Sequence, residues 1–147
     1  MSDTSDRRDI NARPESTRKV HEVKISPFWS HMDDFGHVNN AVYFTYCEQA
    51  RITWFETLGL ADGLHGKLKE GPVLVNASCS YLRPVMYPAD LLVSLYVGTA
   101  GRSSFMAWYE ITNGTQLCTT GSSKIVWIDY TAGKSVALPE GISSLIP

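Results

Sequence analysis

The run Asp33-Asp34-Phe35-Gly36-His37-Val38-Asn39-Asn40-Ala41-Val42-Tyr43 sets a carboxylate, a glycine turn and an asparagine pair directly ahead of a long apolar segment. Asn39 or Asn40 is suited to cap a helix, because its side-chain oxygen can accept from the first free helix amides. Those amides carry the positive end of the helix dipole and stabilise negative charge that develops on an oxygen. A fixed carboxylate beside a helix N-terminus supplies what acyl transfer needs, a nucleophile or base together with a donor for the oxyanion. Asp, Gly and Asn also build ordinary turns before helices, so composition alone leaves a plain loop open.

The elements around this run are legible from periodicity. From Ala41 to Leu58 there is no Pro or Gly, and Tyr43, Cys47, Ala50, Trp54 and Leu58 recur at helical spacing, with Phe44, Arg51 and Phe55 beside them. Gly59 stands where a left-handed cap belongs. A helix this apolar is expected to be wrapped. Lys19 to Trp29 reads as a first strand with Val23 and Ile25 on one face, its end weakened by Pro27. Alternation predicts further strands over Pro72–Leu82, Asp90–Gly98, Phe105–Ile111 and Gln116–Tyr130, with Asn113-Gly114 as a hairpin turn. One strand, one helix and four antiparallel strands make an α+β layout, a sheet of about five strands curled around one central helix.

Composition sets the outer limits. At 147 residues the chain reads as one domain, residues 19–147, preceded by a polar tail over 1–18 whose only sizeable apolar residue past Met1 is Ile10. Such a tail is expected to be disordered or loosely docked, and with no apolar h-region it does not read as a signal peptide. A formal net charge of -2 gives no basic field for nucleic acid, and no apolar run is long enough to span a membrane. Cys47, Cys79 and Cys118 are odd in number and scattered, which argues against a disulfide framework or a zinc ribbon and fits buried thiols in a reducing cytoplasm.

Extended through Glu48-Gln49-Ala50-Arg51, the pattern Asp-x-x-Gly-His-Val-Asn-Asn, then Tyr43, then Glu-x-Ala-Arg resembles the hot-dog-fold acyl-CoA thioesterases of the 4-hydroxybenzoyl-CoA thioesterase type. The resemblance runs from about Val20 to about Tyr130 and takes in Tyr81-Leu82-Arg83-Pro84 and Arg102-Ser103-Ser104-Phe105. It implies the hot-dog fold and hydrolysis of an acyl-CoA thioester without a cofactor, CoA being part of the substrate.

The resemblance marks Asp33 as the catalytic carboxylate, and spacing to Gly36 prefers it to Asp34. The oxyanion donor is then a backbone amide at Asn40 in the first helical turn. One branch of the family has a histidine at the Asn40 position, so a histidine-assisted route is in doubt here, and His37 is left as loop support. Another branch uses a helix glutamate, which makes Glu48 the second candidate, although pairing with Arg51 along the helix is the structural alternative. Gly36, Val38, Tyr43, Arg102 and Ser103 are the expected substrate contacts, with Arg102 on the CoA phosphates. His31, Asp33, Asp34 and His37 have no regular metal-ligand spacing, so no metal is expected.

The resemblance also implies a homo-oligomer, a dimer through open sheet edges at minimum, and a tetramer through late-strand aromatics (Trp108, Tyr109, Trp127, Tyr130) that could equally be core. The alternatives are an acyl-ACP thioesterase and a non-catalytic acyl-thioester binding protein of the same fold. A hydratase would use a histidine-centred motif that this sequence does not resemble.

Overall fold

The computed structural model describes residues 9–61 and 68–147. Strand β1 (Arg18–Ile25) leads through a short 3-10 turn (Trp29–His31) to helix α1 (Val42–Thr57). Strands β2 (Glu70–Tyr81), β3 (Leu91–Gly98), β4 (Ser104–Asn113) and β5 (Gln116–Asp129) follow, then a two-residue β6 (Lys134–Ser135) and a final turn of helix, α2 (Glu140–Ser143). The antiparallel sheet runs β1-β3-β4-β5-β2, with β6 paired to β5. The first strand stops at Ile25, short of the expected Trp29, because Pro27 cannot continue the ladder.

The core forms where α1 meets the sheet. Tyr43, Cys47, Ala50, Trp54 and Phe55 are buried against alternate residues of the middle strands, among them Val93, Leu95, Phe105, Ala107, Ile111, Ile125 and Trp127. Trp54 meets Phe105 edge-on at 6.0 Å and Phe55 meets Trp127 edge-on at 5.8 Å, geometries that suit the ring quadrupoles. The sheet covers only one side of the helix: Phe44, Thr45, Glu48, Gln49 and Glu56 stay exposed. The expected wrapping is therefore one-sided within a single chain.

The tail departs from its expected looseness. From Asp9 onward it lies on the sheet face opposite α1. Asn11 donates to Ser80 Oγ at 2.9 Å and accepts from Ser78 and Ser122 at 2.6 and 2.7 Å. Arg13 pairs with Glu110 at 3.2 Å and sits 4.1 Å above the Tyr96 ring. The serine and threonine hydroxyls of β2 and β5 make that face a hydrogen-bonding surface, which polarity alone does not reveal. Residues 1–8 of the expected tail lie outside the described residues. Of the late-strand aromatics, Tyr109 and Trp127 are core and Trp108 is covered on the outer face, which leaves Tyr130 exposed.

Candidate active site

The Asp33 loop is a small clip. Asp33 N–H donates to His37 O at 2.8 Å and Gly36 N–H to Asp33 O at 3.0 Å. Asn39 N–H donates to His31 O at 2.9 Å, and Val38 N–H to Val85 O at 2.8 Å, which ties the clip to the segment after β2. Gly36 turns the chain with φ of +78°, a left-handed conformation that side-chain-bearing residues disfavour. Asp33 Oδ1 accepts the Phe35 and His37 amides at 2.9 and 3.2 Å. These bonds fix the carboxylate's direction while Oδ2 has no protein partner among the described residues. Asp33 lines an open cleft of about 600 Å³ with Trp29, Ser30, Met32, Gly36 and Tyr87. Asp34 is exposed at the same cleft.

The helix start differs in detail from the sequence reading. Asn39, two residues ahead of Ala41, does the capping: its Oδ1 accepts the Ala41 amide at 3.0 Å and its carbonyl accepts Val42 N–H at 2.9 Å. The Asn40 side chain makes no cap; its carbonyl takes the Tyr81 hydroxyl at 2.7 Å, pinning the helix start to β2. The Asn40 N–H donates to no acceptor among the described residues. Asn40 is not among the residues that line the Asp33 cleft.

Other expected site residues fall elsewhere. Tyr43 and Val38 are each 2% exposed and belong to the core, which leaves them no free surface for substrate within the chain. Arg102 is exposed and Ser103 half-buried in the turn between β3 and β4, where their carbonyls accept from Leu138 and Trp127. That turn is at the far end of the sheet: Ser104 registers with Val126 and Val73, whereas Tyr81 registers with Thr119 near the clip. At the rise of a strand the two ends are about 25 Å apart. Within one chain, Arg102 and Asp33 do not share a site.

Glu48 and Arg51 do not pair. Among the described residues the ion pairs are Arg13–Glu110 and Lys19–Glu22 alone. Glu48 is exposed, while the buried Arg51 guanidinium turns inward and donates to the Tyr109 hydroxyl at 3.1 Å. Tyr109 in turn bonds Ser123 at 2.7 Å. Gly121 makes room for this ring, since a Cβ there would come within 3.3 Å of Tyr109 and of the Ser78 carbonyl. Burial pushes the Tyr109 phenol up to about 12, so it remains a hydroxyl. Cys47 and Cys79, scattered in sequence, line the same small cavity as Arg51. Cys79 is only half-buried, in place of the fully buried thiol expected.

No three His, Cys, Asp or Glu side chains converge as a metal site among the described residues. His31 Nδ1 accepts the Phe28 amide at 3.3 Å, so the Tyr46 hydroxyl 2.9 Å away is its donor. Burial holds that phenol up at about 12. Among the described residues no helix is long and apolar enough to cross a membrane.

YsmA, an uncharacterized protein of Bacillus subtilis, is 32% identical over 116 residues, which cover 78% of this chain and 76% of YsmA. The PA2801 protein of Pseudomonas aeruginosa, a candidate thioesterase, superposes with a TM-score of 0.81 at 37% identity, covering 86% of this chain and 98% of that one. Slr0204 of Synechocystis, a 1,4-dihydroxy-2-naphthoyl-CoA thioesterase, shares the fold with a TM-score of 0.77 at 22% identity, over 85% of this chain and 93% of its own. Residues 27–146 match the thioesterase-like superfamily, and the chain belongs to that family, built on the hot-dog fold.

Proposed function

We propose that the protein is an acyl-CoA thioesterase that hydrolyses its substrate to the free acid and CoA, with Asp33 as the catalytic carboxylate. The observation that carries this reading is the Asp33 carboxylate, aimed by two backbone amides into an open cleft with one oxygen left free. As a general base, Asp33 takes a proton from water, the water oxygen adds to the thioester carbon, and collapse breaks the C–S bond with the proton passing to sulfur. As a nucleophile, Asp33 adds to the thioester carbon, collapse breaks the C–S bond and releases the CoA thiolate, and water then opens the mixed anhydride to the free acid and the Asp33 carboxylate. The unclaimed Asn40 amide at the start of α1 is the donor for the carbonyl oxygen as it gains charge. His37 supports the loop through its backbone bonds to Asp33. A thiol-release screen over short, long, branched and aromatic acyl-CoA esters tests the activity and identifies the acyl class. The chemistry uses no metal or cofactor, so dialysis against a chelator should leave turnover unchanged. Loss of activity that zinc or manganese restores would contradict the carboxylate mechanism.

Two further parts of the reading require a second copy. β2 is an edge strand of 12 residues, and Val73, Leu74 and Val75 on it are 37%, 46% and 54% exposed. An unpaired edge of this kind is completed by another strand. Antiparallel pairing of two β2 strands about a two-fold axis sets the Val73 end of one against the Tyr81 end of its partner. That brings the turn carrying Arg102 and Ser103 toward the partner's helix start, an approach one chain cannot make alone. Light scattering should give a dimer at minimum, with a tetramer as the larger assembly, and an active 16.3 kDa monomer would contradict the shared site. Arg102 then grips the CoA phosphates through charge-assisted hydrogen bonds that do not depend on the acyl group. Arg102→Ala should raise KM for every acyl-CoA by a similar factor with little change in kcat, and should matter less for a pantetheine ester. Equal losses on both substrate types would remove Arg102 from the phosphate site. The cytoplasm is the compartment this reading assigns, since acyl-CoA and free thiols are held there.

A further inference from the structure

The Asp33 clip has two short arms, residues 31–33 and 37–39, joined antiparallel about a Met32–Val38 bridge. Asp33 and His37 close its tip, and at its base Asn39 N–H donates to His31 O at 2.9 Å. The base is also where the clip meets α1. His31 Nδ1 takes the Tyr46 hydroxyl at 2.9 Å, and Tyr46 stands four residues past Val42, one turn into the helix. Asn39 O accepts Val42 N–H, so Asn39, the first turn of α1, Tyr46 and His31 make a closed ring of bonds. Asn40 is one link of that ring, and Asp33 stands two residues beyond another. The His31 ring stacks on Phe28 at 5.2 Å and also accepts the Phe28 amide on Nδ1, which leaves its proton on Nε2. Tyr46 is 2% exposed and is not among the residues that line the Asp33 cleft. Burial holds its phenol up at about 12, so it keeps the proton it donates.

We propose that His31 and Tyr46 are positioning residues for thioester cleavage, their hydrogen bond fixing the Asp33 arm of the clip to α1 and so setting where the carboxylate stands relative to the helix start. The inference rests on the reading of Asp33 as the catalytic carboxylate. Neither side chain touches the reacting atoms. The carboxylate belongs to a loop and the helix start to another element, and His31–Tyr46 is the one side-chain hydrogen bond between that arm and α1 among the described residues. A displacement of about 1 Å in such an arrangement is enough to cost turnover by a factor of about 10².

Tyr46→Phe deletes one oxygen and keeps the ring in the core. On the acyl-CoA that the wild type hydrolyses best, it should lower kcat by about tenfold or more and leave KM within about twofold. His31→Phe, which keeps a ring against Phe28 but has no acceptor, should lose the same factor, and the double variant should lose no more than either alone. His31→Asn sets a carbonyl oxygen close to the position of Nδ1 and should retain most of the turnover. Hydrogen exchange on the full chain needs no turnover. In Tyr46→Phe the His37 and Asn39 amides, which donate to Asp33 Oδ1 and His31 O, should exchange about tenfold faster, with the Val93 and Ala107 amides of the central strands unchanged. An unchanged kcat in Tyr46→Phe beside an inactive Asp33→Asn, unchanged exchange at the clip, an effect confined to KM, or a His31→Asn as impaired as His31→Phe would overturn the proposal. Full turnover in Asp33→Asn is a different failure, that of the carboxylate reading, and it overturns both.

Discussion

Asp33→Asn should lower thioester turnover by a factor of about 10² or more while leaving the thermal unfolding curve close to wild type. The substitution keeps the shape of the side chain. An amide oxygen can still accept the Phe35 and His37 amides that close the turn, so the clip should persist. What disappears is the negative charge and proton affinity of the free oxygen, which either attacks the thioester carbon or activates water. The effect should appear in kcat, because Asp33 acts on the reacting atoms and is not needed to hold the CoA portion. A large rise in KM at constant kcat would instead make Asp33 a binding residue.

Trp54→Ala should destabilise the fold by about 3–5 kcal/mol, with a lower urea midpoint and an unchanged slope. Trp54 is 2% exposed and stands where α1 crosses the sheet, edge-on to Phe105 and 5.3 Å from the Phe55 ring. Truncation leaves a void beside Phe105, which is held on β4 and cannot collapse into it without moving the sheet. Domains of this size are stable by about 5–15 kcal/mol, so the variant should sit near the edge of folding at room temperature. A loss below about 1 kcal/mol would mean that the helix is held elsewhere than at Trp54.

How much of this was readable from the chain depends on whether a signal is local. The unbroken apolar spacing from Ala41 to Leu58 yielded α1 (Val42–Thr57), and Gly59 ends it with φ of +69°. Alternation located all five main strands, and Asn113-Gly114 forms the predicted turn with φ of +63° at Gly114. The clip around Asp33 was equally legible, since its turn chemistry lies within a few consecutive residues.

What escaped depends on register between distant segments. Spacing along the helix offers Arg51 a partner in Glu48, three residues away, yet its partner is Tyr109, 58 residues away and brought under the helix by the β4–β5 pairing. Alternation shows that Trp108 and Tyr109 face opposite sides of a strand but not which side is the core. Asn11 reads as one polar residue among many until Ser78, Ser80 and Ser122 stand beside it. Tyr43 lies on the helix stripe that the sheet buries, a placement that spacing along the helix alone does not reveal.

The most direct test places Asp33→Asn and Glu48→Gln side by side in a thiol-release assay, at saturating concentration of whichever acyl-CoA the wild type hydrolyses best. Unfolding curves recorded on the same preparations separate lost chemistry from lost structure. The account predicts a folded, nearly inactive Asp33→Asn beside a Glu48→Gln that retains most of its turnover. An active Asp33→Asn beside a folded but dead Glu48→Gln would contradict it, and would move the catalytic carboxylate from the loop to the exposed face of α1.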